Sequence, residues 1–207
     1  MINVMVVEDQ AMPRKLFEIM IAESERYHLL FSIENASMAE VYCMKQPIDL
    51  ILMDVCTAFG ESGLEAAAVI KKKWPAIRII VVTSMPEYSF IERARKAGVD
   101  SFWYKDFNEE PILEVMDRTM KGESVYPERT PELKLGNTSS YSLTDRELDV
   151  LRELTSGASD KAIADRLHLS VHTVKHYVNT MLEKTGFTSR TELAVSAREI
   201  GLVIRGI

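Results

Sequence analysis

Apolar and polar positions along the first 121 residues follow two rhythms. Short solid apolar runs recur at Asn3–Val7, Leu29–Ile33, Asp49–Asp54, Arg78–Thr83 and Ser101–Tyr104. Runs of this length, rich in Val, Ile and Leu, fit strands buried on both faces. Between them lie stretches with helical spacing and their own start and stop signals. One begins near Met12, with Pro13 tolerable in its first turn. Ser37-Met-Ala-Glu40 and Ser62-Gly-Leu-Glu65 have capping-box spacing, and the second leads to Lys73 and a stop at Trp74-Pro75. Helices over about 89–97 and 109–121 end at Gly98 and Gly122, as C′ glycines do. Five strands alternating with five helices predict an α/β domain with a parallel, doubly wound sheet.

The rhythm changes after Gly122. Residues 123–141 carry Pro127, Pro131, Gly136 and a Gly-Asn-Thr-Ser-Ser run, which reads as an exposed linker with one helical turn near 132–135. From Leu143 only helical spacing remains. Thr144-Asp-Arg-Glu147 is a capping box ahead of Leu148, Leu151 and Leu154. Ser159 caps a short helix to Leu167, Ser170 a longer one to about Thr185, and Ser189-Arg-Thr-Glu192 a last one ending near Gly201. The expected organisation is therefore 1–122 for the α/β domain, 123–141 for the linker, and 142–207 for a small all-α domain of four helices.

The chain has 207 residues and a net charge of −6, and all of the imbalance lies in the first part. Residues 1–142 hold 16 basic and 22 acidic groups, whereas residues 143–207 hold 9 of each. Any binding of a polyanion by the second part must come from a local patch. Lys71-Lys72-Lys73 reads as a solvated helix face. No run of about 18 apolar residues is present, so no membrane span is expected. The N-terminus lacks a basic-then-apolar secretory pattern, and Cys43 and Cys56 lack metal-ligand spacing. A reduced, cytoplasmic chain is the expectation.

Chemistry gathers at the strand ends. The first strand ends in Glu8 and Asp9, the third in Asp54, the fourth in Thr83 and the fifth in Lys105. An isolated strand-end Asp is most often a turn cap. In a flavodoxin-like strand order 2-1-3-4-5, however, the first and third strands are neighbours, and ligands bind outside their carboxyl ends. Three carboxylates there would be costly to crowd together without a cation. Their hard oxygens suit Mg²⁺. Lys105 adds a positive charge and Thr83 a hydroxyl, a set suited to stabilising a phosphoryl group passing to a carboxylate. Neither G-x-G-x-x-G nor G-x-x-x-x-G-K-[ST] occurs, which disfavours nucleotide binding.

At these residues the chain resembles the receiver domain of response regulators over about residues 2–121. The resemblance implies that Asp54 is the phosphoacceptor, that Glu8 and Asp9 are the acidic pair with Asp9 the more direct metal ligand, and that the backbone carbonyl of Cys56 completes the magnesium set. It also implies that Thr83 is the switch hydroxyl, Phe102 the switch aromatic that turns inward, and Lys105 the lysine of the fifth strand. The loop after Asp54 departs from the family pattern. Thr57-Ala58 replaces the usual Met-Pro pair, and Gly63 falls nine residues on rather than eight. Cys56 and Met85 flank the site and are poor at positioning an attacking water, so slow loss of the phosphoryl group is expected.

In the second half, a short helix, a tight turn and a longer helix form a helix-turn-helix candidate. Val171, Val174, Val178, Met181 and Leu182 make an apolar stripe on the longer helix. His172, Lys175, His176, Asn179 and Glu183 fall on the opposite side. Lys and Asn there suit entry into the DNA major groove. The stretches 143–151, 157–164 and 169–175 resemble the LuxR-type DNA-binding domain, with Tyr177 standing where the family often has His. The resemblance implies DNA contacts from Lys175, His176, Asn179 and Tyr177, backbone contacts from Thr173 and Lys184, and dimer contacts on DNA through Leu193, Ala194 and Ala197.

The whole chain is thus similar to a NarL/FixJ-type response regulator. That similarity implies a sensor histidine kinase and double-stranded DNA as partners, Mg²⁺ as cofactor, homodimerisation, and no enzymatic activity beyond the receiver's own phosphorylation and dephosphorylation. Two other readings stay open at this point. One is a phosphorylation-independent regulator, which the altered loop favours. The other is an aspartyl-phosphate phosphatase, against which the adjacency of Glu8 and Asp9 speaks, since haloacid-dehalogenase-like enzymes carry D-x-D.

Overall fold

The computed structural model describes residues 1–107 and 110–203. By contact density the chain divides into two units. Among the described residues, one comprises Met1–Ser84 and Ser89–Arg129, and the other Met85–Tyr88 and Thr130–Val203.

The first unit is built on strands β1 (Ile2–Val7), β2 (Tyr27–Ile33), β3 (Leu50–Asp54), β4 (Arg78–Thr83) and β5 (Ser101–Tyr104). They form one sheet in the order β2-β1-β3-β4-β5, parallel throughout. Helices α1 (Ala11–Ala22), α2 (Ala39–Lys45), α3 (Gly63–Lys73), α4 (Phe90–Lys96) and α5 (Ile112–Met120) connect and follow them. Val4, Val6, Leu50, Leu52, Ile80 and Val82 face Phe17 and Ile21 of α1 and Ile112, Val115 and Met116 of α5 in one apolar cluster. The alternate residues Met5, Val7, Ile51, Met53, Ile79 and Val81 are equally buried. Strands β1, β3 and β4 are therefore covered on both faces, which is why their sequences read as solid runs; β2, at the sheet edge, is only half-buried, contrary to the expectation for Leu29–Ile33. Full burial of each such side chain contributes about 1.5–3 kcal/mol.

Three local expectations meet the structure differently. The start of α2 is not a Ser37–Glu40 capping box; it follows a short 3-10 turn, Ala36–Met38, that Asn35 caps by accepting from the Ser37 N–H at 2.8 Å. The expected start of the fifth helix, Glu109, lies outside the described residues, and α5 begins at Ile112 behind Pro111. Lys71 is also no solvated lysine, since it binds Asp100 at 2.9 Å and the carbonyl of Ile77 at 2.9 Å.

Residues 123–126 run along the first unit rather than free of it. The Phe102 N–H donates to the Val125 carbonyl at 2.8 Å, and the Tyr126 hydroxyl to the Val99 carbonyl at 2.8 Å. Arg95 lies over the Tyr126 ring. These bonds satisfy sheet-edge groups that would otherwise stay open.

The second unit contains α6 (Asp145–Leu154), α7 (Asp160–Leu167), α8 (Val171–Thr185) and α9 (Arg190–Glu199) around one core. That core includes Leu148, Leu151, Leu154, Ile163, Val174, Met181 and Leu193. In place of a helical turn near 132–135, Lys134–Leu135 pairs with Thr138–Ser139 in a small hairpin. Gly136 at its tip approaches the C-terminal end of α8 so closely that a Cβ would lie 2.2 Å from the Thr185 carbonyl. The Asn137 N–H then donates to that carbonyl at 2.8 Å, satisfying a group the helix end leaves open. The turn between α7 and α8 is set by His168, which closes α7 in the left-handed region at φ 54°, and by Ser170, whose hydroxyl accepts from the Thr173 N–H at 3.0 Å.

Candidate functional site

The sheet register brings the predicted pocket together. Val7 pairs with Met53 and Asp54 with Val82, so the residues just past β1 lie beside the end of β3. Carboxylate oxygens of Glu8, Asp9 and Asp54 lie within 4.8 Å of one another. Lys105 follows β5, held there by its N–H donating to the Thr83 carbonyl at 2.9 Å. Its ammonium reaches Asp54 Oδ1 at 3.2 Å and also pairs with Glu8 Oε2. Glu8 is fully buried, Asp54 is 3% exposed and Thr83 1%.

One cation facing three carboxylates leaves negative charge uncompensated. Burial pushes the Asp54 carboxyl up to about 7; Lys105 opposes the shift, and Glu8 and Asp9 add to it. Asp9 Oδ1 is buried with no hydrogen-bond partner among the described residues. A buried, unpaired carboxylate oxygen beside two more carboxylates fits a hard divalent cation. Glu8, Asp9 and Asp54 are the side chains that would hold it. Bound there, Mg²⁺ would neutralise charge and allow Asp54 to remain ionised near neutral pH.

The atypical loop has a definite shape. Cys56–Thr57 and Glu61–Ser62 pair as a short hairpin. The Thr57 hydroxyl donates to the Glu61 carbonyl at 2.8 Å and accepts from the Ala36 N–H at 3.0 Å. Phe59 and Gly60 take φ of 65° and 74° at the tip, which accommodates the additional residue. Phe59 is 93% exposed there. Thr57 thus supplies with hydrogen bonds the anchoring that a proline would supply by stiffness. At Gly63 a Cβ would stand 1.8 Å from the Asp54 carbonyl oxygen, so the first residue of α3 must be glycine. Its N–H donates to the Val55 carbonyl at 2.9 Å. The Asp54 backbone and the start of α3 are therefore pressed together.

Phe102 is already inside, packed edge-on to Tyr104 at 4.9 Å and near Tyr126 at 6.1 Å. The ring therefore stands inward in this conformation.

On α8, His172, Lys175, His176 and Asn179 are exposed, Thr173 and Tyr177 partly so. Tyr177 also packs against the domain core. Val171, expected in the buried stripe, is 40% exposed, because it opens the helix ahead of the first turn that packs. Two groups of predicted residues are engaged within the domain itself. The Lys184 ammonium binds both Glu147 carboxylate oxygens at 2.8 Å and the Ser142 carbonyl at 3.0 Å, so its charge is committed within the domain. Leu193 and Ala197 are fully buried in the domain's own core, which leaves them no surface to offer a second copy; Ala194 is partly exposed and Val195 exposed.

Sequence reasoning missed Glu8 as the tightest partner of Lys105, Gly63 as a steric necessity, and the Glu147–Lys184 pair. The last had a signal: a capping-box Glu at a buried helix start needs a counter-charge, and Lys184 is the basic residue in the last turn of α8.

Residues 4–117 match the family model described as response regulator receiver domain, and residues 141–197 match bacterial regulatory proteins, luxR family. The response regulator protein VraR of Staphylococcus aureus (strain Mu3 / ATCC 700698) is 34% identical over 163 residues, covering 75% of this chain and 76% of VraR. Among solved structures, one of two RcsB dimers bound to two parallel DNAs aligns with a TM-score of 0.63 at 16% identity, over 96% of this chain and 98% of that one. RcsB from Salmonella enterica serovar Typhimurium, bound to promoter rprA with the phosphomimetic BeF3⁻, aligns at 0.58 and 20% identity, over 94% and 96%. Among the described residues no helix is long and apolar enough to cross a membrane. With a receiver domain holding the acidic pocket and a LuxR-type domain holding the helix-turn-helix, this chain belongs to the NarL/FixJ-type response regulators and is a DNA-binding transcription regulator.

Proposed function

We propose that this regulator is switched by phosphorylation of Asp54, with a sensor histidine kinase as donor and Mg²⁺ at Glu8, Asp9, Asp54 and the Cys56 backbone carbonyl. The observation that carries this reading is the buried pocket: among the described residues, three carboxylates within 4.8 Å, one lysine, and an Asp9 oxygen with no hydrogen-bond partner. An Asp54 oxygen attacks phosphorus, the donor's P–N bond breaks, and its electron pair stays on the imidazole. Lys105, already 3.2 Å from Asp54, neutralises charge on the incoming phosphoryl group. Thr83 is buried at the next strand end and would donate its hydroxyl to the new oxygens. Cys56 and Met85 offer little to orient a water, so the phosphoryl group is expected to be lost slowly.

On the output side, α8 would enter the major groove with Lys175, His176 and Asn179 toward the bases, and Thr173 and Tyr177 toward the backbone. Lys184 and the buried pair Leu193 and Ala197 drop out of this assignment. A dimer face on α9 would use its exposed side around Ala194 and Val195. The domain boundaries that fit this reading run near Arg129 and Thr130.

The test is DNA affinity before and after treatment with acetyl phosphate and Mg²⁺, on a duplex enriched by this chain from random sequence. Binding that tightens in the wild type and stays fixed in Asp54→Ala is the expected result. Equal affinity in all four samples would replace this reading with a phosphorylation-independent regulator.

A further inference from the structure

The loop that follows Asp54 is tied down on its far side. Thr57 is buried, and its hydroxyl is used twice. It accepts from the Ala36 N–H at 3.0 Å and donates to the Glu61 carbonyl at 2.8 Å. One residue on, the Ala58 N–H donates to the Glu34 carbonyl at 3.1 Å. The Ala36 and Glu34 bonds end on the stretch that leaves β2. That same stretch meets the acidic pair from the other direction. The Glu8 N–H donates to the Ile33 carbonyl at 2.9 Å. Arg14 of α1 pairs with Glu34 Oε1 at 2.7 Å and donates to the Glu8 carbonyl at 3.1 Å. Residues 33–36 are therefore a bracket, with Glu8 fastened at one end and the loop at the other.

The bracket spans the two sides of the acidic pocket. Asp9 follows Glu8 on one side. On the other, Thr57 follows Cys56, whose backbone carbonyl is assigned to Mg²⁺ above. The Ala58 bond joins two backbones, but the Thr57 bond depends on a side chain. Ala36 is buried, so without that hydroxyl its N–H would lose its partner. A threonine hydroxyl can donate once and still accept, whereas a valine of the same shape can do neither.

We propose that Thr57 is a positioning residue for the divalent cation: its hydroxyl holds the loop that carries the Cys56 carbonyl in place against Glu8 and Asp9. This rests on the reading above for the Mg²⁺ ligands, but not on phosphorylation itself. Thr57 touches neither the cation nor the phosphoryl group, and acts through the backbone on either side of it.

The experiment compares the full chain as wild type, Thr57→Val, Thr57→Ala and Thr57→Ser. Thermal melts in EDTA check folding. Mg²⁺ affinity is read by calorimetry, and phosphorylation by acetyl phosphate is followed by intact mass over a Mg²⁺ series. Thr57→Val should need about ten-fold more Mg²⁺ for half-maximal binding and for half-maximal phosphorylation, as when the supports of metal ligands are removed elsewhere. Its rate at saturating Mg²⁺ should stay within about two-fold of wild type. Thr57→Ser keeps both bonds and should return to wild-type affinity. In EDTA, amide exchange at Ala36 should quicken in Thr57→Val and not in Thr57→Ser. A hydroxyl that only supports the fold would lower the melting temperature and quicken exchange, yet leave Mg²⁺ affinity alone. Affinity of Thr57→Val within about two-fold of wild type therefore overturns the proposal. Thr57→Ala is judged by the same readings if the valine variant does not fold. A wild type that binds Mg²⁺ but gains no phosphoryl group defeats the phosphorylation reading and leaves Thr57 to be judged on affinity. A wild type that binds no Mg²⁺ overturns both.

Discussion

Buried charge is handled in opposite ways in the two units. In the receiver, Glu8, Asp9 and Asp54 share Lys105, and one Asp9 oxygen has no partner among the described residues. In the DNA-binding domain, buried Glu147 accepts from the Thr144 N–H and hydroxyl and from Lys184, closing a complete capping box. The first arrangement leaves charge open, as the proposed chemistry requires; the second closes on itself. Burial of charge therefore marks function only where satisfaction is incomplete. The residues proposed to contact DNA show the converse, for Lys175, His176 and Asn179 are exposed and support little of their own fold.

The contrast is sharpest in how stability responds to pH. Asp54 in the folded chain is raised from 3.8 to about 7, chiefly by burial. A raised carboxyl favours the folded state while protonated. Its contribution is full below about pH 4 and is lost as pH climbs through 7, a swing of about 4 kcal/mol in metal-free protein. Urea titrations in EDTA should show it, and Asp54→Asn should remove it. Mg²⁺ should recover much of the loss at pH 8 in the wild type and little in Asp9→Asn. Glu147 runs the other way. Burial raises it, but the Lys184 and Thr144 hydrogen bonds outweigh burial and leave it below its ordinary 4.5. Its contribution is present above that value and is lost as pH falls through the depressed one.

Gly63→Ala comes next in size. A Cβ 1.8 Å from the Asp54 carbonyl meets backbone, which cannot give way as a side chain can. A loss of about 3 kcal/mol is expected, together with loss of Mg²⁺-dependent stabilisation, measured by the same titrations. An undisturbed response to Mg²⁺ would mean that the loop and Asp54 move independently.

Lys184→Ala should cost about 2 kcal/mol by leaving buried Glu147 short of its counter-charge, after allowance for the partial exposure of the lysine. Glu147→Gln with Lys184→Ala should recover part of it in a double-mutant cycle. At the small end, alanine at Lys175, His176 or Asn179 should change stability by no more than about 0.5 kcal/mol, while DNA affinity falls about ten-fold or more for a base-contacting residue. A stability loss comparable to that of Lys184→Ala would show that the face is structural.

The strands, their order and the convergence of Glu8, Asp9, Asp54, Thr83 and Lys105 were legible in the sequence, because doubly covered strands leave solid apolar runs and parallel topology sends their ends to one edge. The helix-turn-helix was legible from its caps. What escaped were features decided by distant packing. Nothing local in Lys184 distinguishes a phosphate-binding lysine from one committed to Glu147. Leu193 and Ala197 carry the same helical spacing whether they face a second copy or their own core. The path of 123–126 depends on an open edge at β5 that no local pattern announces, and the hairpin at 134–139 on a glycine pressed against the end of α8.

The central claim is that Asp54 accepts a phosphoryl group in a pocket completed by a divalent cation. Intact mass after incubation with acetyl phosphate and Mg²⁺, beside Asp54→Ala and an EDTA control, tests it most directly. A gain of one phosphoryl group in the wild type, absent in both controls, is the predicted result. The same gain in Asp54→Ala, or no gain in the wild type with either acetyl phosphate or a phosphorylated sensor kinase, would contradict it.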